Sequence, residues 1–348
     1  MKRRPRSDKL LAVLGEYSRI LLVTHDNPDP DGIASCWALL RLVQEKLHKN
    51  VRAVAGGAIV RAENRRLVEL LRPPLELVER VTADDETAIV MVDCSPAGMN
   101  HVLEQAMRAP VAVIDHHQPT GRRFRVRYRD IRPRFAATAT IVSRYLRDQG
   151  VEPDTALATA LVYAIRTDAI GKARFSRSDQ HVVSWLHNWA SVRLLADIEN
   201  APLTRHYYAD LLLALENTLV YDRVGLCFLP QAAGSEIVGE VADLLIRCEQ
   251  LDQVLCAAVV GHDVVVSVRT SADGGDAARL VRAVLSGLGN GGGHEHRAGG
   301  KLALAAQGKR ISDELQTELR GRWLAVCHVR QQRGTRLVAR REIARHLD

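Results

Sequence analysis

The sequence has few aromatic residues and no paired cysteine motif, and each absence excludes a class of protein. Phe, Trp and Tyr make up 4% of the 348 residues, which leaves little material for the stacked aromatic platforms that bind long single strands of nucleic acid. None of the six cysteines forms a Cys-x-x-Cys pair, which argues against a zinc ribbon or a thioredoxin-type redox site. Scattered single cysteines are typical of a reducing compartment, so we expect a cytoplasmic protein.

Long hydrophobic runs are also lacking. No segment approaches the roughly 20 apolar residues of a membrane-spanning helix. The apolar run at 9–14, behind the basic N-terminus, is interrupted by Gly15-Glu16, so no signal peptide and no membrane partner are predicted. The formal net charge of +7 fits an anionic partner, and it fits an ordinary solvated surface equally well.

The first half of the chain alternates short apolar runs with helical patterns, which predicts an α/β fold with a parallel sheet covered by helices on both faces. The apolar runs lie at 19–24, 51–55, 88–92 and 111–114. A second, smaller α/β unit is predicted from a strand at 223–229, helices at 235–248 and 276–288, and a hairpin at 254–260 and 263–269. We therefore expect a first domain at 1–190, a helical linker at 191–219, a second domain at 220–318 and a basic helical tail at 319–348.

Three of the predicted strands run directly into residues that can bind a metal ion. His25, Asp93 and Asp115 each follow an apolar run. Because ligands of parallel sheets bind just outside the carboxyl ends of the strands, we expect these side chains to converge although they are far apart in sequence.

The first motif, THDNPDPDGIAS at 24–35, places His25, Asp29 and Asp31 on a loop stiffened by two prolines. Two carboxylates and an imidazole this close would repel and desolvate one another without a cation. Hard oxygen ligands with a minority of imidazole suit Mn²⁺ or Mg²⁺. The alternative is an Asp-Pro turn in which Asp31 caps the following helix.

The other motifs are weaker when each is taken alone. Asp93 in MVDCSP is equally well explained as a cap of the next segment, and Asp168 in IRTDAIG, taken alone, is better explained by an ordinary loop at the end of a helix. In VIDHHQ, at the end of a strand, one histidine can bind metal while the other faces substrate, and Asp115 can accept a ring proton. The alternative for this motif is a polar loop.

Taken together, the order His-x-x-x-Asp-x-Asp, Asp, Asp-His-His and Thr-Asp resembles the DHH phosphoesterase superfamily. The resemblance implies two divalent cations, Mn²⁺ or alternatively Mg²⁺. It implies one set of ligands in His25, Asp29 and Asp93, and a second set in Asp31, Asp93, His116 and Asp168. It also implies catalytic roles for Asp93, Asp115 and His117, with His117 close to the scissile phosphate. The chain departs from the common family pattern at Gly32, where relatives often have alanine, and at Ala169, where they often have threonine.

The glycine cluster GNGGGHEHRAGG at 289–300 resembles the signature of the DHH-associated C-terminal domain, and residues 266–270 resemble the arginine-bearing stretch before it. The resemblance implies that 220–318 is a substrate-binding domain. Its phosphate contacts would come from Arg269, Gly291, Gly292, Gly293 and His294. Arg297 would be either a further phosphate contact or a surface arginine. A flexible loop is the alternative for the glycines, which otherwise allow backbone amides to approach phosphate closely.

The resemblance implies an enzyme that hydrolyses short RNA or DNA oligonucleotides to mononucleotides, in the manner of a nano-RNase, with small nucleotides such as 3′-phosphoadenosine 5′-phosphate as further substrates. A cyclic or linear dinucleotide phosphodiesterase shares this chemistry, and so does an inorganic polyphosphatase or pyrophosphatase, although the glycine signature disfavours the last. A non-catalytic nucleotide-binding regulatory module would be indicated by a missing metal ligand, and none is missing. The oligomeric state is left open between a monomer and a homodimer.

Overall fold

The computed structural model describes residues 4–96, 100–103, 109–118, 125–169, 175–232, 234–293, 295–303, 310–331 and 333–338. The chain divides into two compact units, Met1–Ala201 and Pro202–Asp348. The division falls inside the stretch at 191–219 that the sequence predicts as a linker. Among the described residues, no helix combines the length and the apolar character needed to cross a bilayer.

The first unit is a parallel sheet with helices packed on it. Its described helices are α1 (Arg6–Leu14), α2 (Pro30–Leu47), α3 (Ala62–Leu71), α4 (Thr138–Asp148), α5 (Thr155–Ala169), α6 (Arg177–Leu186) and α7 (Val192–Glu199). Its described strands are β1 (Arg19–Val23), β2 (Asn50–Ala55), β3 (Glu76–Leu77), β4 (Thr87–Val92), β5 (Ala112–Asp115) and β6 (Tyr128–Ile131). The strand order is β3-β2-β1-β4-β5-β6, and every neighbouring pair is parallel.

The central strands are apolar on both faces, as is typical of strands in a parallel sheet. In β1 the sequence RILLV is buried except at its first residue, and in β4 the sequence TAIVMV is buried except at its half-buried threonine. Such a strand is stable only where helices cover both sides of the sheet. The predicted fold class is therefore confirmed. The carboxyl ends of β1, β4 and β5 all lie at one edge of the sheet.

The second unit is a mixed sheet with its own apolar core. Its described helices are α8 (Arg205–Asn217), α9 (Ser235–Leu245), α10 (Ala277–Leu285) and α11 (Asp313–Val326). Its described strands are β7 (Leu219–Tyr221), β8 (Val224–Gln231), β9 (Gln253–Val260), β10 (Asp263–Thr270), β11 (Asn290–Gly293), β12 (Arg297–Ala303) and β13 (Thr335–Arg336). The order is β11-β12-β10-β9-β8-β7-β13, with β8 and β9 parallel and the other pairs antiparallel.

The glycine cluster forms strands where the sequence suggested a loop. Gly291 pairs with Gly300, and Gly292 pairs with Gly299, across β11 and β12. A Cβ on Gly300 would overlap the Leu285 side chain of α10, and a Cβ on Gly291 would lie 3.1 Å from Val281. The glycines therefore allow two strands and a helix to approach closely. At Gly292 a Cβ would meet nothing within 4 Å.

In its described part, the predicted tail at 319–348 is helical only as far as Val326. Helix α11 ends at Val326 with Cys327 as its C-cap, and His328 has a φ of 57°. A left-handed residue ends an α-helix because it turns the chain out of the helical path. The chain then forms β13, which pairs with β7. The rest of the predicted tail, 339–348, lies outside the described residues.

Two substitutions in the glycine strands are expected to differ in their effect on stability. Gly300→Ala should lower the free energy of unfolding by about 1–3 kcal/mol, because the new methyl group overpacks the site against Leu285. Gly292→Ala should change it by about 0.5 kcal/mol or less, because the methyl group enters open space. Urea denaturation followed by circular dichroism measures both. Equal losses in the two variants would contradict the packing explanation.

Candidate metal centre

The loop between β1 and α2 places His25 beside Asp29. Asp29 is the N-cap of α2, and its Oδ1 accepts hydrogen bonds from the backbone N–H groups of Asp31, at 2.9 Å, and Gly32, at 3.1 Å. Pro30 fits the first helical position because no intrahelical partner exists there for an N–H. The helix is thus capped by Asp29 rather than by Asp31. His25 Nε2 lies 3.6 Å from Asp29 Oδ1.

This loop is held by a Gly-Gly pair that the sequence analysis did not single out. The N–H of Asn27 donates to Gly56 O at 3.0 Å, and the N–H of Ala58 donates to Asn27 Oδ1 at 3.0 Å. A Cβ on Gly56 would overlap the Asp26 carboxylate, and one on Gly57 would overlap Asn27. Two glycines directly after a predicted strand are a local signal of such a close approach.

Asp93, the residue after β4, stands between two groups of potential ligands. It is 3% exposed and has a φ of 58°, a left-handed conformation that aspartate tolerates better than most residues. Its N–H donates to Ile114 O at 2.9 Å, which keeps it at the sheet edge. Its Oδ2 lies 3.8 Å from His25 Nε2, and its Oδ1 lies 3.6 Å from His116 Nε2. The two oxygens of one carboxylate therefore face different clusters.

Asp31 is bound by the N-terminus of α4, which is far away in sequence. The N–H of Thr138 donates to Asp31 Oδ2 and the N–H of Ala139 donates to Asp31 Oδ1, both at 2.7 Å. The N-cap of α4, Ala137, has no side chain that could cap the helix, so Asp31 satisfies these amides. The positive end of the helix dipole thereby faces a carboxylate.

Thr138 also reaches the central carboxylate. It is fully buried, and its hydroxyl donates to Asp93 Oδ1 at 2.9 Å. The sequence analysis missed this residue, and nothing in the local sequence around it indicates the contact, because the two residues meet only through the packing of α4 against the sheet edge.

The Asp-His-His motif splits as the sequence suggested, with its two histidines in different surroundings. His116 is buried, and its Nε2 lies 3.2 Å from Asp168 Oδ2 and 3.7 Å from Asp31 Oδ2. His117 is partly exposed, and its Nδ1 donates to Asp115 Oδ1 at 2.8 Å, which orients the ring. Asp168 lies in the last turn of α5 rather than in a loop, because the helix continues to Ala169.

The pKa values of these groups are shifted first by burial and then by the neighbouring charges. Burial, with added repulsion from Asp31 and Asp29, raises the pKa of Asp93 well above its usual range. Burial raises the pKa of Asp31 to about 6, with Asp168 and Asp29 adding to the shift and His116 opposing it. Burial would lower the pKa of His25, but the Asp29 carboxylate outweighs it and raises the pKa to about 9.

The donor atoms fit divalent cations. Three groups of side chains each offer ligand atoms that lie within 4.8 Å of one another. These groups are His25, Asp29 and Asp93; Asp31, His116 and Asp168; and Asp93, His116 and His117. Oxygen atoms with some imidazole nitrogen are the donors of hard or borderline divalent ions. All the residues that the sequence predicts as metal ligands meet here, and their individual roles as ligands stay predictions.

In the second unit, the predicted phosphate contacts are only partly available to a ligand. The side chain of Arg269 is 12% exposed, and its Nε donates to Asp243 Oδ1 at 2.6 Å. Arg297 is 45% exposed, and its Nε lies 3.5 Å from the same oxygen. Gly291–Gly293 lie on β11 at the sheet edge, where alternate backbone groups lack a strand partner. His294 lies outside the described residues.

The first unit is an α/β domain with a parallel sheet, and the Asp and His residues at its strand ends could hold divalent metal ions. Comparison with known proteins is more specific. Residues 19–165 match the DHH family, N-terminal domain, so the chain contains a DHH family N-terminal domain, and the resemblance seen in the sequence is confirmed for this part. The match does not include residues 289–300, and the DHH-associated C-terminal domain stays a prediction.

Similar proteins support the same fold. An uncharacterized protein of Methanocaldococcus jannaschii is 30% identical over 297 residues, which cover 85% of this chain and 60% of that protein. The chain thus spans less than two thirds of this relative. An exopolyphosphatase-related protein from Bacteroides fragilis has a TM-score of 0.74 at 16% identity, over 93% of this chain and 96% of its own. RecJ from Thermus thermophilus, in complex with Mn²⁺, has a TM-score of 0.51 at 16% identity, over 97% of this chain and 56% of its own.

The buried carboxylates at this centre predict that metal binding and Asp93→Asn each raise stability, and that the two gains do not add. At a Mn²⁺ concentration about 100 times the dissociation constant, the wild type should gain about 2.7 kcal/mol, or a rise in melting temperature of roughly 5–10 °C. In chelator, Asp93→Asn should melt higher than the wild type, because a carboxylate with a raised pKa destabilises the folded state at neutral pH. The variant should gain little from Mn²⁺. Differential scanning calorimetry measures all four melting temperatures, and a full gain in the variant would contradict the central role of Asp93.

Proposed function

We propose that the protein is a metal-dependent phosphoesterase that hydrolyses short RNA or DNA oligonucleotides to mononucleotides. The observation that carries this proposal is the position of Asp93. Its Oδ2 faces His25, and its Oδ1 faces His116, as expected of a carboxylate shared by two cations. Two-metal sites of this kind are typical of enzymes that displace an oxygen at phosphorus.

In this proposal the first ion is held by His25, Asp29 and Asp93. The second ion is held by Asp31, Asp93, His116 and Asp168. Bound divalent cations would supply positive charge for the phosphate oxygens and would lower the pKa of an attacking water. Mn²⁺ is our first choice, and Mg²⁺ is the alternative, because both accept carboxylate oxygens and Mn²⁺ accepts imidazole more readily.

His117 would contact the scissile phosphate. Asp115 fixes its ring through Nδ1, so Nε2 is the ring nitrogen that would meet the phosphate or the leaving oxygen. The His117 hydrogen bond holds the pKa of Asp115 below its usual value although burial opposes it. Asp115 therefore stays ionised at neutral pH and keeps the ring in one orientation.

The second unit would bind the terminal phosphate of the substrate. Arg297 is the more exposed of the two arginines, and the amides of Gly291–Gly293 lie on an edge strand. Arg269 would support this surface through its contact with Asp243, and His294 would add a further contact. A site that binds one end of a substrate favours short substrates, in keeping with the scarcity of aromatic residues for long strands.

A time course with labelled substrates tests the function. RNA and DNA oligomers of two to about twenty nucleotides, 5′-labelled, are incubated with Mn²⁺, Mg²⁺ or chelator, with wild type and with Asp93→Ala. We expect metal-dependent release of mononucleotides, fastest from the shortest oligomers, because the chain has few aromatic residues on which a long strand could stack. We expect Asp93→Ala to lose activity by at least about 10²-fold, because both cations depend on that carboxylate.

Other substrates in the same assay separate the alternatives. Hydrolysis of cyclic dinucleotides, 3′-phosphoadenosine 5′-phosphate or polyphosphate, with all oligomers intact, would replace the proposed substrate class and retain the chemistry. Tight binding of nucleotides with no hydrolysis of any substrate would favour a regulatory module. Hydrolysis that persists in chelator would contradict the metal-dependent mechanism.

The two arginines of the second unit should respond differently to substitution. Arg297→Ala should raise KM for oligonucleotides by roughly tenfold, the loss of a charge-assisted hydrogen bond of about 1.5 kcal/mol, and leave the melting temperature unchanged. Arg269→Ala should lower the melting temperature as well, because it leaves the Asp243 carboxylate without its closest hydrogen-bond donor. Steady-state kinetics and calorimetry on both variants measure this. An unchanged KM in Arg297→Ala would remove this residue from the phosphate site.

A further inference from the structure

We infer that Asp179, at the start of α6, is a positioning residue for the metal ligands Asp31 and Asp93, and that it acts through the first turn of α4. This inference rests on the metal binding proposed above. In the sequence Asp179 belongs only to a capping pattern, Ser176-x-x-Asp179, and among the described residues it is not one of the side chains that surround the candidate cations.

The two carboxylate oxygens of Asp179 serve different helices. Oδ1 accepts from the N–H of Ala136 at 3.2 Å and from the hydroxyl of Thr140 at 2.7 Å, on the α4 side. Oδ2 accepts from the N–H of Ser176 at 2.7 Å and from its hydroxyl at 2.6 Å, on the α6 side. Asp179 is 0% exposed. A buried carboxylate is costly unless it is hydrogen-bonded, and four donors offset that cost.

The α4 turn that Asp179 holds is the same turn that contacts the metal ligands. The residues bound by Oδ1, Ala136 and Thr140, flank Thr138 on both sides. Thr138 donates its N–H to Asp31 and its hydroxyl to Asp93. Since the N-cap of α4 provides no capping side chain, the turn is fixed by Asp179 on one side and by the ligand carboxylates on the other.

A shift of this turn would move donors away from both carboxylates. Asp31 would lose the alignment of two backbone amides, and Asp93 would lose the hydroxyl that orients Oδ1. Outer partners of metal ligands typically change metal affinity by about 10–100-fold when they are removed. The effect should be larger for the set with Asp31, His116 and Asp168 than for the set with His25 and Asp29, because the latter meets the turn only through Asp93.

The competing explanation is that Asp179 does no more than cap α6. Ser176 and Asp179 form a capping box at the start of that helix, which is a sufficient structural role by itself. The two explanations differ in which side of the carboxylate matters for the metal. A capping role depends on the Ser176 side, whereas the positioning role depends on the Thr140 side.

Two matched substitutions separate the explanations, because each removes one hydroxyl donor to Asp179. The dissociation constants of Mn²⁺ are measured by isothermal titration calorimetry, and free Mn²⁺ is measured by electron paramagnetic resonance. Thr140→Val should weaken the Asp31 set by roughly tenfold, and Thr140→Ser should restore it. Ser176→Ala should lower the melting temperature in chelator and leave the dissociation constants within about twofold. Circular dichroism in chelator checks the fold, and Thr140→Ala replaces Thr140→Val if the latter does not fold.

The measurements distinguish a failure of the inference about Asp179 from a failure of the proposed function. Wild type that binds no Mn²⁺ would overturn that function and this inference together. If the wild type and Thr140→Val bind Mn²⁺ with the same dissociation constant, the inference about Asp179 is overturned and the proposed function is not. Equal weakening in Ser176→Ala and Thr140→Val would also overturn it, because the metal site would then respond to any loss at α6. Weakening in Thr140→Val, restored binding in Thr140→Ser and unchanged binding in Ser176→Ala are the results we expect.

Discussion

Mutual repulsion of buried carboxylates at one sheet edge is the constraint around which the first unit is built. Asp93 is almost completely buried with Asp31, Asp29, Asp115 and Asp168 among the charges that raise its pKa. Such a cluster is unfavourable in the folded chain unless positive charge offsets it. The protein supplies some of that charge itself, in histidines, backbone amides and a helix N-terminus, and divalent cations would supply the rest.

The surrounding elements share the task of holding these charges in place. Parallel strands bring the predicted ligands to one edge, and Asp29 is the N-cap of helix α2. Asp31 accepts the first backbone amides of helix α4, so each of these two aspartates binds a helix N-terminus with an oxygen that also lies beside a histidine of the candidate metal centre. Gly56 and Gly57 hold the loop from the β2 side. Because Asp29 and Asp31 bind helix N-termini and also face the candidate metal centre, a shift of either helix would move these carboxylates.

The second unit has a different balance of charge. Arg269 and Arg297 both lie against the Asp243 carboxylate, and two glycines of the strands beside them, Gly291 and Gly300, pack closely against α10. Gly292 is the exception, since a side chain there would meet nothing within 4 Å. Packing therefore explains why Gly291 and Gly300 are glycines. It does not explain the glycine at position 292, where a side chain would have room.

The sequence alone determined the features that depend on local order and periodicity. Apolar runs ending in His or Asp were enough to predict the parallel sheet and the convergence of His25, Asp93 and Asp115, because side chains at the ends of parallel strands must share one edge. The resemblance to the DHH superfamily came from the order and spacing of the four motifs. The sequence did not predict that the glycine cluster forms strands or that α11 ends at Val326. Only the tertiary structure decided the roles of Thr138 and Asp179. The partners of Thr138, and the partners of Asp179 on the α4 side, are 39 or more residues away in sequence, and packing of helices on the sheet, rather than any local pattern, brings them together.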